Sequence, residues 1–508
     1  MVAARAQRVT TWCSTTTWGS ARWQRCLTAL AAVVFCWPQS SVDADIGIDP
    51  SWEAAVALAR IHHLAWGPDV AFTYGPLAFL QNTGYYSREQ ALLATVYQVS
   101  TLVALFLAVA AALRRRHTPA SSLAGAAVTT VITGILLGPM YPEVVILAAF
   151  AWAGSLLLPD DHEPATAFVT CVLLGAVGGF ELLVKFNTGP VVAGVALAAS
   201  VLLDWRAVGR HLAAVTAFIA SVPLWWLLAG QRLGNLTTWL KYSSEIVSGY
   251  IEGQAVPIPW DAVGAVALTL AWIAAVCAMF VRGRSEIPRR FVVLVAIVTV
   301  VVTKTAFGRY DSNHFSVLLG LIVITVAITP LLGILRRGFE IALAVLFVVY
   351  LAGILVVEQR PVAVLQAPVR AVDRVVTLGW PDLATRHIEQ SKARQRAQYG
   401  VPDRFINAIG SGTVHVDPDE TSVVWAYGLA WRPAPVFQTY SVYTPTLDKL
   451  NGDTLASGPQ FVLSRRSPTS PATGINDRLG VQENPLYSLA LLCNYTRTDA
   501  ENGWILFS

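Results

Sequence analysis

The segment RWQRCLTALAAVVFCWPQSSVDADIGIDPSWE, residues 22–53, is typical of a membrane protein. An apolar run with a basic flank leads directly into four carboxylates, those of Asp43, Asp45, Asp49 and Glu53. A cleaved signal peptide also has a basic flank before a short apolar run, but here no small-residue cleavage site is clear and many apolar runs follow. We therefore interpret this segment as a retained first membrane span that opens into an acidic loop.

The composition of the whole chain supports a membrane protein. Of its 508 residues, 55% are hydrophobic and 13% charged, and the mean hydropathy is +0.53, whereas soluble proteins carry about 25% charged residues. The net charge of +4 is small and dispersed, which excludes nucleic-acid binding as a function. Six scattered cysteines show neither metal nor disulfide spacing. No cofactor is therefore predicted, and a divalent metal is left open without support.

Apolar runs divide the chain into three parts: a short N-terminus at 1–23, a transmembrane domain at 24–357 and a C-terminal tail at 358–508. Each run is long enough to cross about 30 Å of hydrocarbon. The sequence predicts eleven spans, at 24–41, 90–113, 120–138, 142–158, 165–184, 188–203, 212–230, 261–281, 290–306, 314–334 and 339–357.

Basic residues in the short loops predict the orientation. They cluster before span one, in RRRH at 114–117, at Arg206 and Arg210, in RGRSEIPRR at 282–290 and in RR at 336–337. These clusters share one side if the N-terminus is cytoplasmic, as the excess of arginine and lysine in cytoplasmic loops requires. The large loop at 42–89 and the tail then lie outside. The arginine-rich composition favours a bacterial chain, and hence a bacterial plasma membrane.

The tail has the texture of a water-exposed domain and is long enough to form a core of its own. Residues 362–379 and 382–400 are predicted to be helices. Short strands are predicted in TVHVD, TSVVWAYG, VFQTYSVY, PQFVLSRR and WILFS, with turn residues between them. The predicted fold class is therefore a polytopic α-helical membrane protein with an extracytoplasmic α/β or α+β tail domain.

The loop at 42–89 is too long for a simple connection. In DPSWEAAVALARIHHLAWG, Asp49 suits a helix N-cap, Pro50 the first helical position and Glu53 the first turn. The recurrence of Trp52 and His63 at helical spacing favours a helix lying in the plane of the membrane interface. DVAFTYGPLAFL, residues 69–80, follows as a second apolar segment that contains a turn.

Basic side chains also occur on the predicted outer side, against the general trend. Three of the five lysines, Lys185, Lys241 and Lys304, lie at outer span ends or in an outer loop, and KTAFGRYDSNHF adds Arg309 and His314. An anion at the depth of the lipid headgroups, such as a polyprenyl phosphate, explains cations held there. The long outer loop at 231–260 mixes aromatic and charged residues, as the wall of a groove or a lid does.

Carboxylates and cations on one face form an acid–base site beside an anion site. Sugar transfer from a lipid phosphate to a hydroxyl needs both functions. A carboxylate takes the proton of the attacking hydroxyl, and cations stabilise the departing phosphate. A single displacement with inversion requires only one carboxylate base. Outside the cell no nucleotide sugar is at hand, which favours a lipid-linked donor.

The acidic opening IDPSWEAAVALA after the first span, two elements in the first outer loop, about eleven spans and an external tail together resemble the GT-C superfamily of integral membrane glycosyltransferases. The resemblance implies a polyprenyl-phosphate-linked sugar donor and a glycan, glycolipid or protein acceptor. It places Asp49 at the catalytic base position, with Asp45 and Asp43 as alternates. Substrate contacts are then expected from Lys185, Lys304, Arg309 and His314 around the phosphate, with Lys241 and Glu53 nearby.

Each of these residues also has an ordinary structural role open to it. Asp49 is a good helix cap, and Asp43 and Asp45 suit solvated loop positions. Lys185 could extend from a span end or pair with Glu181, four residues earlier. Further structural alternatives are an Arg309–Asp311 pair, interfacial packing of His62 and His63, and core packing of Trp425, Trp431 and Tyr440.

Two other classes of function remain compatible with the sequence. One is a transporter or flippase of an envelope precursor, although no inverted repeat or paired broken helix is visible. The other is a non-catalytic scaffold for envelope assembly, with the tail as its docking module. Transport predicts sensitive residues along a path through the spans, whereas transfer predicts them on one face.

Overall fold

The computed structural model describes most of the chain, and all structural statements below concern the described residues. These are residues 21–37, 43–82, 84–138, 140–159, 163–254, 259, 262–282, 287–329, 337–357, 360–465 and 484–508. The prediction of a first span at 24–41 therefore falls partly outside them.

Eleven helices coincide with the eleven predicted spans. They are α1 (Ala21–Phe35), α3 (Arg88–Leu113), α4 (Pro119–Leu137), α5 (Tyr141–Leu157), α6 (Pro164–Val184), α7 (Thr188–Leu203), α8 (Val208–Leu228), α10 (Val263–Arg282), α11 (Arg289–Gly308), α12 (Ser312–Ile328) and α13 (Arg337–Val357). Within the described part of the chain, six of them are long and apolar enough to cross a membrane, namely α3, α4, α6, α8, α10 and α11. The chain is a polytopic helical membrane protein.

Small residues set the closest approach between spans. A Cβ added at Gly175 of α6 would lie 2.2 Å from the carbonyl oxygen of Ala214 in α8, and one at Gly179 would lie 2.5 Å from that of Phe218. Glycine in α6 thus lets the two helix backbones touch. Such small-residue contacts are a principal source of helix association in lipid, where apolar burial supplies little driving force.

The two ends of the bundle differ in composition. At one end, the guanidinium groups of Arg115 and Arg290 donate to the carbonyl oxygens of Leu158 and Leu157. We call this the arginine end. The opposite end, which we call the first-loop end, carries residues 43–87, and there Phe186 donates its amide hydrogen to the carbonyl of Thr73. Arg115 and Arg290 come from two different basic loops and lie at the same end of the bundle. This agrees with the prediction that successive loops alternate between the two sides of the membrane.

The first loop contains helix α2 (Ile48–Ile61). The sequence predicts a helix in the plane of the membrane interface, but α2 is covered by other parts of the protein. Ser51 and Ala54–Ala59 are buried, because small side chains let protein pack on several sides of the helix at once. The capping prediction is wrong in detail: Gly47 is the N-cap, with φ 115°, and Asp49 lies within the first turn. The segment 69–80 ends in a single 3₁₀ turn, Ala78–Leu80.

The outer loop predicted at 231–260 contains a long helix, α9 (Leu233–Gln254). It packs between the first loop and the tail. The hydroxyl of Ser243 and the indole of Trp239 both donate to the carbonyl oxygen of Phe72, at 2.8 and 3.3 Å. At the tail side, the Thr444 hydroxyl donates to the Glu245 carboxylate at 2.6 Å. Helix α9 therefore lies between the first loop and the tail and contacts both.

The tail begins with two helices and continues as a small α/β domain. Its helices are α14 (Arg360–Gly379), α15 (Pro381–Tyr399), α16 (Asp403–Ile409), α17 (Ser422–Tyr427), α18 (Pro445–Ala456) and α19 (Pro485–Asn494), and its strands are β1 (Thr413–Asp417), β2 (Ala430–Trp431), β3 (Phe461–Arg465), β4 (Arg497–Glu501) and β5 (Trp504–Phe507). The sheet order is β2-β1-β3-β5-β4. Strand β1 pairs in parallel with β2 and β3, while β5 pairs antiparallel with β3 and β4.

Three of the five predicted strands are confirmed, at β1, β3 and β5. The segment TSVVWAYG is instead the short helix α17, and VFQTYSVY contains a 3₁₀ turn at Thr439–Ser441. Both segments are rich in the β-branched and aromatic residues that favour strands. Tertiary contacts override that preference: the indole of Trp425 in α17 donates to the carbonyl of Tyr86 in the first loop, at 3.0 Å.

Candidate active site

The candidate site lies at the first-loop end, where α2, residues 71–74, α9 and residues 436–443 of the tail meet. The main chain holds these segments in register, because the amide of Ala71 donates to the carbonyl of Pro435 at 2.8 Å. Side chains extend the contact, since the rings of Phe72 and Phe437 lie 4.9 Å apart. The first loop and the tail thus share one apolar wall.

Helix α2 carries two carboxylates one turn apart. Asp49 is exposed and Glu53 is half-buried. Burial, with a smaller effect from the neighbouring Asp49 carboxylate, raises the pKa of Glu53 to about 7. Among the residues that the structure describes, no cation pairs with Glu53. The two carboxyl groups therefore differ in their environment, which is a common arrangement where one group must exchange protons near neutral pH.

Tyr440 of the tail connects the acidic and basic parts of the site. Burial raises the pKa of its phenol well above the usual value, the charges of Asp419 and Asp49 raise it further, and Arg309 lowers it. Asp49 and Arg309 therefore act electrostatically on one hydroxyl group, although 260 positions separate them in the chain. Sequence reasoning assigned Tyr440 to core packing or sugar stacking and gave no signal for this role.

Arg309, which follows α11, is exposed. Hydrogen bonds hold its guanidinium at the edge of the candidate site. Its Nη1 donates to Oε1 of Gln254 at 3.2 Å, and Nε2 of Gln254 donates to the hydroxyl of Tyr443 at 2.8 Å. The expected alternative, an Arg309–Asp311 pair, is not formed. Asp311 instead caps α12 through the amide of His314 and pairs with that imidazole, 2.6 Å between Oδ2 and Nδ1.

Lys185 approaches the site from the end of α6, but its charge is already paired. Its Nζ lies 2.5 Å from Oε1 of Glu143, and both side chains are nearly buried. The ammonium also lies 5.4 Å from the ring centre of Tyr74, which stacks on Trp52 of α2 at 4.6 Å. The expected Glu181 partner is wrong, because Glu181 instead accepts a hydrogen bond from the Tyr97 hydroxyl at 3.1 Å.

Glu143 is not among the site residues predicted from the sequence. It is 3% exposed and lies in the first turn of α5. The signal was present, since an ionisable residue inside an apolar span is costly unless it has a partner. Without the fold, however, that partner could not be identified: Lys185 is 42 positions away.

The structure sets Asp43 apart from the other acids of the first loop. Its carboxylate forms ion pairs with two side chains of α15, His387 at 2.5 Å and Arg394 at 2.8 Å. The adjacent His387 side chain, with a smaller effect from Arg394, holds the pKa of Asp43 below its usual range. Asp43 therefore joins the first loop to the tail. Asp45 is exposed, and its carboxylate accepts the amide hydrogen of Ile46 at 2.8 Å.

The remaining predicted substrate contacts lie on the surface. Lys304 is exposed on α11, one turn before its end. Lys241 is exposed on α9, with its ammonium 5.3 Å from the ring of the adjacent Tyr242. His62 and His63 are also exposed at the end of α2. Within the described ranges, no group of three or more histidine, cysteine or acidic residues is arranged to hold a metal ion.

In the tail, Trp425 and Trp431 are buried. The indole of Trp425 packs edge-on against Tyr86, and that of Trp431 against Phe437. These contacts match the core-packing alternative. Tyr440 differs, because it is half-buried and lies in the candidate site.

Fold and site together define a polytopic membrane protein with a covered first-loop helix and a fused α/β tail. No model of a known protein family matches the chain, and no curated protein sequence matches it. Two solved structures are similar to it: ArnT from Cupriavidus metallidurans bound to undecaprenyl phosphate, and the same protein in the apo state.

The TM-scores are 0.48 and 0.45, the sequence identity is 13% in each case, and each alignment covers 96% of this chain and 98% of the other. ArnT is a glycosyltransferase of the GT-C family, the superfamily that the sequence resembles. At this level of similarity neither structure assigns an activity or a residue role to this chain.

Proposed function

We propose that the protein is a membrane glycosyltransferase that moves a sugar from a polyprenyl-phosphate donor to a cell-envelope acceptor. The reaction takes place on the outer face of a bacterial plasma membrane. The observation that carries this proposal is that the charges of Asp49 and Arg309 both act on the pKa of Tyr440. A carboxylate and a cation near one phenol are the pair of functions that the proposed transfer needs.

In this proposal Asp49 is the general base. Its exposure leaves the carboxylate accessible to an acceptor hydroxyl, whereas Asp43 is occupied by His387 and Arg394. Asp49 takes the hydroxyl proton while the acceptor oxygen attacks the anomeric carbon. The bond from that carbon to the phosphate oxygen breaks, its electrons go to the phosphate, and the configuration inverts. Glu53, one turn away with a pKa near neutrality, exchanges the proton with Asp49 or with water.

Arg309 is the proposed cation for the departing phosphate. A planar guanidinium can donate two parallel hydrogen bonds to phosphate oxygens, and among the predicted cations Lys185 is instead neutralised by Glu143. Lys304, exposed near the end of the same helix, adds positive charge. The tail contributes Tyr440 beside the reacting groups, which supports a role for the tail in positioning the acceptor.

The test is a transfer assay with purified protein and labelled polyprenyl-phosphate sugars. Removing a general base lowers the rate by about 10²–10⁴-fold, so we expect a loss of that size in Asp49→Asn. Asp45→Asn is the matched control, because this exposed acid of the same loop is expected to keep nearly wild-type transfer. Undiminished transfer in Asp49→Asn would remove the proposed base. Sugar-independent movement of the lipid between leaflets would favour a flippase instead.

A further inference from the structure

A second feature of the molecule lies within the spans. Helices α3 and α6 both pack on α5 and leave a gap between them, which forms a cavity of about 430 Å³. Its rim includes Ser100, Leu173 and Val177, which are exposed on the lipid-facing surface of the bundle. The cavity therefore opens sideways into the bilayer and not toward water at either end.

The lining is apolar except at one end. Most of it is aliphatic or aromatic, with Trp152 and Thr170 at the deeper end and Tyr97 and Glu181 at the end nearer the first loop. None of the lining residues is a lysine or an arginine. The cavity thus suits a hydrocarbon chain that carries one uncharged polar group.

Glu181 supplies that polar end. It is 1% exposed, and one of its carboxyl oxygens accepts the hydrogen bond of Tyr97. No cation pairs with it in the described part of the chain, and an ionised carboxylate in hydrocarbon is strongly disfavoured. The group is therefore a neutral acid, and its own O–H must find an acceptor. Because Glu181 lines the cavity, this O–H is a hydrogen-bond donor available at the polar end of the cavity.

The length of the cavity matches one leaflet. On α6 it extends from Thr170 to Glu181, which at 1.5 Å per residue is about 16 Å. Half of a hydrocarbon core is about 15 Å. Glu181 also lies one turn below Lys185, the last residue before the loop, and so at the upper edge of the hydrocarbon. In a glycerolipid this is the depth of the ester carbonyls, just beneath the headgroup.

We propose that this cavity is a binding site for one glycerolipid molecule, whose acyl chain fills the apolar volume and whose ester carbonyl accepts a hydrogen bond from Glu181. A polyprenyl chain fits the chemistry less well, because it carries no hydrogen-bond acceptor between its phosphate and its terminal methyl groups. The proposal concerns a different part of the molecule from the candidate active site and does not rest on the proposed function.

The test compares two photoactivatable lipids on the wild-type protein in detergent. One is a phosphatidylethanolamine with a diazirine in its acyl chain, and the other is its diether analogue, which lacks the carbonyls. We expect saturable crosslinks to residues 145–152 and 170–181, with the diether binding about threefold to tenfold more weakly. This is the effect of losing one hydrogen bond worth about 0.5–1.5 kcal/mol.

Variants separate the hydrogen bond from the shape of the cavity. Glu181→Gln keeps a donor and should keep the preference for the ester, whereas Glu181→Leu should abolish it. Val177→Trp should reduce crosslinking at the rim. Val169→Trp is the matched control, because Val169 is exposed on the same helix but does not line the cavity.

Three results would overturn the proposal, and each can be obtained with the wild-type protein alone. The first is equal affinity for the diester and the diether lipid. The second is crosslinking spread over the whole lipid-facing surface. The third is displacement of the probe by a polyprenyl phosphate at lower concentration than by unlabelled phosphatidylethanolamine, which would make the cavity a site for that lipid.

Discussion

Asp43 and Arg394 join the first loop to the tail: Oδ2 of the carboxylate lies 2.8 Å from Nη2 of the guanidinium. The other carboxylate oxygen pairs with His387, which lies two helical turns before Arg394 in α15. Two basic side chains on one helix thus hold the chain at the point where it emerges from the segment after α1. The acidic cluster behind the first span therefore has divided roles, with Asp43 structural and Asp49 facing the candidate site.

We expect Asp43→Asn to weaken the docking of α15 on the first loop. Because Arg394 is more than half exposed, the pair contributes modestly, about 1 kcal/mol or less. The pKa of Asp43 is lowered in the folded protein, so its stabilising effect is present above the ordinary aspartate pKa and is lost as the pH falls below it. Thermal unfolding of Asp43→Asn at pH 7 should show a lower midpoint, with Asp45→Asn unchanged. Equal midpoints for wild type and Asp43→Asn would contradict the structural role.

Glu53→Gln should change the pH dependence of stability. The pKa of Glu53 is raised to about 7 in the folded state, so the folded protein binds its proton more tightly than the unfolded chain. Stability is then lost as the pH rises from the ordinary glutamate pKa through 7. The variant, which cannot ionise, should match wild type at pH 5 and unfold at a higher temperature at pH 8. If the difference in unfolding temperature between wild type and Glu53→Gln stays constant from pH 5 to pH 8, the pKa of Glu53 is not raised.

Breaking the Glu143–Lys185 pair should cost far more than breaking a surface pair. Both side chains are nearly buried, and removing one partner of a buried pair typically costs about 3–5 kcal/mol because a charge is left without compensation. We expect a large fall in unfolding temperature for Glu143→Gln. The double variant Glu143→Gln/Lys185→Met should regain much of the loss. If the double variant is no more stable than Glu143→Gln, the unpaired charge of Lys185 is not the cause of the lost stability.

The contact between α9 and the tail can be tested through two glycines of one helix. A Cβ at Gly249 would lie 2.2 Å from Cβ of Tyr443, whereas nothing lies within 4 Å of a Cβ at Gly234. Gly249→Ala should therefore separate the helix from the tail and raise protease sensitivity. Gly234→Ala should be neutral, or slightly stabilising because alanine favours helix. Equal protease resistance in the two variants would contradict the close packing.

The orientation in the membrane stays a prediction and can be measured directly. Single cysteines at positions 116, 208 and 445, in a chain whose native cysteines are replaced, report access to a membrane-impermeant thiol reagent in intact cells. The positive-inside rule predicts labelling at position 445 alone. Labelling at 116 or 208 instead would invert the topology and place the candidate site in the cytoplasm.

Much of the architecture could be read from local patterns. Each of the eleven apolar runs corresponds to a helix, because a span must satisfy its own backbone hydrogen bonds and must be apolar along its length. The tail is less predictable from its sequence. The segment α17 has the composition of a strand but forms a helix that packs against the first loop. The pairing of Asp43 with α15 could not be predicted from the sequence either, because 344 positions separate Asp43 from His387.

The amino-acid sequence alone predicts a many-span membrane protein, the end of each span that carries the arginines, and the grouping of acids and unusual cations in the loops of one side. These properties depend on composition and on periodicity along the chain. Which acid lies near which cation depends on how the helices and the tail pack. Asp43 is paired with the tail, Lys185 is paired with Glu143, and the charges of Asp49 and Arg309 both act on the pKa of Tyr440. Electrostatic interaction falls with distance in space, and that distance is set by packing and not by position in the chain.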